Sequence, residues 1–157
     1  MQRNLMIAQA ILFLSLSFAP AAIGSEDKTW DQDRVSELAK EMAGEIKRVR
    51  AAARKEPHII SAGTTGKQRS AALYLDTLKK LERASAKLAR QLGAGETSRE
   101  TSGTARRVDS LLRDLDEQGA KLHSTKWTNQ FLEPAKKIAG ELRSYYDSIA
   151  PDATPAK

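Results

Sequence analysis

Apolar residues recur along most of this chain at intervals of three and four, the spacing that gathers side chains on one face of an α-helix. The first stripe is Val35, Leu38, Met42, Ile46, Val49 and Ala53. Thr29, with Gln32 three residues on, has capping-box spacing and marks its start; Pro57, which has no N–H to donate, ends it. A second stripe, Ala71, Tyr74, Leu75, Leu78, Leu81, Ser85, Leu88 and Leu92, predicts a helix from about Gly66 to Leu92, with Gly93 and Gly95 as its C-terminal punctuation. Thr97 and Glu100 repeat the capping-box spacing ahead of a third stripe, Val108, Leu111, Leu112, Leu115 and Leu122. Gly103 and Gly119 weaken that helix by roughly 1 kcal/mol each relative to Ala. The fourth stripe is Trp127, Phe131, Ala135, Ile138, Leu142, Tyr145, Tyr146 and Ile149, in which Pro134 predicts a kink or a place in the first turn. No stretch alternates with period two over the length of a strand.

Four amphipathic segments joined by short connectors predict an all-α fold, an up-down-up-down four-helix bundle over residues 25–150. Spacing near 3.5 favours shallow, coiled-coil-like crossings, and it serves equally for two helical hairpins pairing as a dimer. Residues 151–157, beginning at Pro151, are expected to form a disordered tail.

Residues 1–24 do not belong to this pattern. Arg3 supplies a short positive start, Leu5 to Phe18 an apolar run, and Ala22 and Gly24 the small residues that precede a cut before Ser25. This is the layout of a secretory signal peptide. A membrane anchor needs about 20 apolar residues, and this run is shorter. Nothing later is apolar enough to span a bilayer. The processed protein is therefore expected without a transmembrane anchor, in a bacterial periplasm or secreted into the medium.

Composition narrows the chemistry. The chain of 157 residues has no cysteine, which excludes disulfides, a lipoprotein anchor, covalently attached haem, thiolate metal sites and a cysteine nucleophile. It carries 26 Lys and Arg against 20 Asp and Glu, a net charge of +6. The imbalance is local. Residues 57–95 hold seven bases and two acids, whereas acids and bases balance in each of the remaining segments after the leader. Acids crowd the start of the first helix and bases its end, an order that complements the helix dipole.

An up-down-up-down topology would bring the end of helix one, the start of helix two, the end of helix three and the start of helix four to one pole. That pole would collect Arg50, Arg54, Lys55, His58, Lys67, Arg69, Lys121, His123, Lys126 and Trp127. Cations beside an aromatic ring suit a phosphate, an acidic sugar or an acidic protein surface; a solvated, solubilising end is the plain alternative. Nucleic acid is not an expected partner, since no nucleic-acid motif is present and Trp127 alone offers a stacking platform there.

Other motifs fall short. Gly63-Thr64-Thr65-Gly66-Lys67 has the look of a phosphate loop, yet Ser61 stands where such a loop needs Gly and Gln68 where it needs Ser or Thr, so the stretch reads as a flexible connector. His58 and His123 are the only imidazoles, too few for a zinc or copper site, and no Glu-x-x-His pair of the di-iron kind occurs. Asp114, Asp116 and Glu117 read as a solvated helix face, and no nucleophile has a base and an orienting group beside it, so no catalytic residue is assigned. In outline the architecture resembles the haem-binding four-helix cytochromes. That resemblance implies either Cys-x-x-Cys-His in the last helix or a Met on the first helix paired with a His on the last. Met42 occupies the first helix, but Lys136 to Ser148 contains neither Cys nor His, so Met42 is read as core and no cofactor is expected.

The leading expectation is an exported, non-enzymatic helical bundle that binds a protein partner or an anionic envelope polymer or lipid surface through its basic pole. A bundle holding a small ligand or metal between splayed helices, and a periplasmic chaperone-like stress protein, stand beside it.

Overall fold

The computed structural model describes residues 29–56, 65–122 and 125–149; the leader, the tail, the middle of the first connector and both histidines lie outside them. Four helices fill most of the described chain: α1 (Gln32–Ala53), α2 (Thr65–Gly93), α3 (Ser98–Gly119) and α4 (Thr125–Asp147). Among the described residues there is no strand. α1 packs on α2 and on α4, α2 packs on α3, and the seam between α3 and α4 is the thinnest of the four. No described helix is long and apolar enough to cross a membrane.

The apolar stripes make the core. Val35, Leu38, Met42, Ile46, Val49 and Ala53 of α1 are all buried, joined by Ala39. α2 contributes Ala71, Tyr74, Leu78, Leu81, Leu88 and Leu92, with Thr77 and Ser85 as buried hydroxyls. Each hydroxyl donates within its own helix, Thr77 Oγ1 to Leu73 O at 3.0 Å and Ser85 Oγ to Glu82 O at 3.1 Å, so neither is stranded in the interior. Leu75 is only half-buried. α2 begins at Thr65, one residue before the expected start at Gly66, so the Thr65-Gly66-Lys67 part of the loop-like motif is helical rather than flexible connector.

The caps are partly those expected. Glu100 Oε2 accepts from the Thr97 backbone N–H at 2.8 Å and from its hydroxyl at 2.9 Å, closing the start of α3 and holding the Glu100 carboxyl below its ordinary range. Gly95 ends α2 at φ +83, a left-handed conformation that suits glycine, and Glu96 N–H turns back to Gln91 O at 3.1 Å. At α1 the expected Thr29–Gln32 box is not the cap. Asp31 caps the helix, its carboxylate accepting from Arg34 N–H at 3.0 Å. Asp31→Ala is therefore expected to cost about 1 kcal/mol of stability and Thr29→Ala less than about 0.5 kcal/mol, measured by urea unfolding; a larger loss from Thr29→Ala would reverse the assignment.

Gln32 is released for a different task. Its Nε2 donates to Leu92 O at 2.8 Å and Glu96 O at 3.3 Å, carbonyls near the end of α2, while its Oε1 accepts from Trp30 Nε1 at 2.9 Å. Trp30 in turn stands edge-on to Tyr146, ring centroids 5.2 Å apart. The Tyr146 hydroxyl shares a 2.8 Å hydrogen bond with Thr101 Oγ1. The start of α1, the end of α2, the start of α3 and the end of α4 thus meet at one end of the molecule, which leaves the four opposite termini together at the other.

α4 departs from its expected face. The buried line is Trp127, Leu132, Ala135, Ala139, Leu142 and Tyr145. Phe131, Ile138 and Tyr146 are half-buried, and Ile149 is 39% exposed. Leu132 and Ala139 take the inward places expected of their neighbours Phe131 and Ile138, while Trp127, Ala135, Leu142 and Tyr145 keep theirs, so the inward face is turned only slightly. The helix runs through Pro134. The thin α3–α4 seam is crossed by ion pairs, Lys136 Nζ to Asp116 Oδ1 at 3.0 Å and Arg143 to Asp109 through two bonds of 2.9 and 2.8 Å.

Candidate functional site

The pole predicted from the sequence has its termini together, but its residues differ in what they can do. Arg54, Lys55, Lys121 and Lys126 are exposed. Residues 65–70 are exposed without exception, so Lys67 and Arg69 stand on a stretch of α2 that reaches past the packed end of the bundle. Arg50 does not join them: it is half-buried and its guanidinium is bonded to Glu82 of α2. Trp127 is no stacking platform. It is 7% exposed and packs against Phe131 with ring centroids 5.1 Å apart, plugging the end of the core, because its stripe position places the indole inward. His58 and His123 lie outside the described residues.

Most of the excess charge is elsewhere. Of the seven bases in residues 57–95, Lys79, Lys80, Arg83, Lys87 and Arg90 lie along α2 well inside the bundle, and all five are exposed. At 100° per residue, Arg69, Lys80, Arg83 and Lys87 fall within about 60° of one another, and they span about 27 Å along the axis. Lys80, Arg83 and Lys87 line a shallow groove between α2 and α3, and Arg107 of α3 faces them across it. Gly103 and Ala84 are the small residues of its lining. A Cβ on Gly103 would meet nothing within 4 Å, so no close helix contact requires the glycine.

The electrostatics of the groove are one-sided. Lys80 pairs with Asp76 at 2.7 Å. Among the described residues no carboxylate pairs with Arg83, Lys87 or Arg107. Glu100 is the one acid in the lining, a single negative charge bonded to the Thr97 N–H and hydroxyl against four cations. Gln91 and Thr104 close the far end: Thr104 Oγ1 donates to Gln91 Oε1 at 2.8 Å, and Gln91 Nε2 donates to Glu96 Oε2 at 2.7 Å. Cations elsewhere that cross between helices are paired, as in Arg34 with Glu141 and, along its own helix, Glu37 at 2.8 and 3.0 Å, bonds that raise the guanidinium pKa further.

Lys80, Arg83, Lys87 and Arg107 were not singled out from the sequence. The signal for the three on α2 was present, since their three- and four-residue steps are the same arithmetic that marks an apolar stripe. Arg107 could join them only once α3 was docked.

Met42 is fully buried among the core residues, and among the described residues no group of three or more His, Cys, Asp or Glu side chains is arranged to hold a metal ion. No known protein family matches the chain, and no curated protein or solved structure shows significant similarity to it.

Proposed function

We propose that this protein is an exported, non-enzymatic binding module whose partner is an extended anionic polymer of the bacterial envelope, laid along the basic face of α2 and continuing to the basic pole. The observation that carries the reading is the groove in which Arg83, Lys87 and Arg107 converge with no carboxylate partner among the described residues, beside Lys80. Separated like charges along a groove favour a chain of repeated negative groups over a single ion, because each cation then meets its own anion and releases counterions on contact. The leader-like residues 1–24 support an envelope or extracellular setting for such a partner, and Arg69 in the exposed start of α2 at residues 65–70 continues the same charged face toward the pole.

The experiment is a salt titration of binding to linear polyphosphate, with uncharged dextran of similar length as comparison. Three to five phosphate contacts give a slope of log K against log salt of about −2 to −4. Binding that ignores salt, or equal binding to dextran, sinks the reading.

A further inference from the structure

The seam between α3 and α4 opens into a cleft of about 260 Å³ that owes nothing to the basic face. Met42 and Leu88, both fully buried, form its floor, and Ala105, Val108, Ala139 and Leu142 its walls. The cleft lies where small residues face each other across the seam. With Ala139 turned inward where Ile138 was expected, and with Ala105 among the opposing wall residues on α3, neither helix fills the space between them.

The mouth is polar but balanced. Arg143 and Asp109 bridge the seam through two bonds of 2.9 and 2.8 Å, which hold the guanidinium pKa above its ordinary value, with the Asp147 carboxylate adding to the effect. Among the described residues Arg106 reaches Ser102 Oγ alone, at 3.5 Å. Two guanidinium groups and two carboxylates cancel, so the mouth gives a charged ligand no net attraction, in contrast to the α2–α3 groove. The floor presents a thioether and aliphatic carbon, which give water almost nothing to bond. An apolar cavity of roughly 150 Å³ stays dry and takes a benzene ring. This one is larger and lies just below the size range of ordinary small-molecule pockets.

We infer that the α3–α4 cleft binds an uncharged hydrophobic small molecule, larger than a single ring, with its apolar body against Met42 and Leu88. The Arg143–Asp109 bridge crosses the seam above it and narrows the entrance.

The test uses the full chain and the uncharged dye N-phenyl-1-naphthylamine. Wild-type protein is expected to bind one dye per chain with a blue-shifted rise in fluorescence. Ala105→Leu places an isobutyl group in the cleft from a partly exposed position, and Ala139→Val fills the other wall with a smaller change. Each is expected to weaken dye binding by about tenfold or more while the helical circular dichroism and thermal transition persist. In 0.3 M salt, naphthalene is expected to displace the dye about tenfold better than 2-naphthoate, since only the latter must bring a charge to a neutral mouth. Unchanged dye binding in either folded variant overturns the inference. So does equal or better displacement by the carboxylate. Loss of the signal in Leu73→Ser also overturns it, by placing the dye on the exposed leucine of α2, which is 52% exposed.

Discussion

Replacing Arg83, Lys87 and Arg107 together with Glu is expected to weaken polyphosphate binding by about 100-fold or more at low salt and to flatten the salt dependence by about two to three units of slope. The reasoning is electrostatic. None of these cations forms an ion pair with a carboxylate among the described residues, although Arg83 helps to hold the Asp76 carboxyl low, and each reversal both removes an attraction and adds a repulsion. The same isolation makes the variant a clean one. All three side chains are exposed, and no ion pair is broken, so the thermal transition should move by only a few degrees; exposed substitutions away from packed features usually change stability by less than about 0.5 kcal/mol each. A companion variant, Arg54→Glu with Lys55→Glu, reverses two exposed cations at the pole. It is expected to lose less affinity, in keeping with an auxiliary role. Isothermal titration of both against polyphosphate separates the two surfaces. A greater loss from the pole pair would move the site to the end of the bundle, and no loss from either would remove both surfaces from consideration.

The sequence was a good guide wherever one residue's environment is set within its own turn of helix. All six apolar positions expected on α1 are buried, because a three-four rhythm of branched and unbranched aliphatics has only one amphipathic solution there. The Thr97–Glu100 cap and the glycine exit from α2 are likewise local devices, decided by a few hydrogen bonds between near neighbours. Reading failed where two helices had to agree. Gln32 resembled a capping residue, but an amide that can reach the carbonyls at the end of α2 is better used there, and Asp31 supplies the cap without it. Ile138 and Ala139 are adjacent, and bulk favoured Ile138; the choice between them is made by the rotation of α4 against α1 and α3. Trp127 carried two readings at once, core stripe and exposed ring, and packing against Phe131 decides for the first. The charge excess of residues 57–95 was plain in the composition. Its direction was not, since a basic face becomes a groove only when a second helix brings Arg107 alongside.

Leu81→Ala is expected to lower stability by about 3–4 kcal/mol, which for a bundle of this size is a fall in Tm of roughly 10–15 °C. Leu81 is fully buried near the middle of α2, the helix that packs on both α1 and α3. Truncation there removes three carbons from a site closed by both neighbours, and the cost is the lost transfer energy plus the cavity that rigid helices cannot collapse to fill. A native domain holds only about 5–15 kcal/mol in total, so this one change consumes a large share. Leu88→Ala, two turns further along the same helix and equally buried, is expected to cost about 1 kcal/mol less. The Leu88 side chain already faces the α3–α4 cleft on one side and therefore has fewer packing partners to lose. Urea titrations followed by circular dichroism measure both, and an unchanged m-value would assign the loss to the native core rather than to the unfolded chain. The difference between the two leucines is the sharper quantity. Equal losses would mean that the seam is as tightly filled as the centre of the bundle, and a larger loss at Leu88 would mean that the cleft closes in solution.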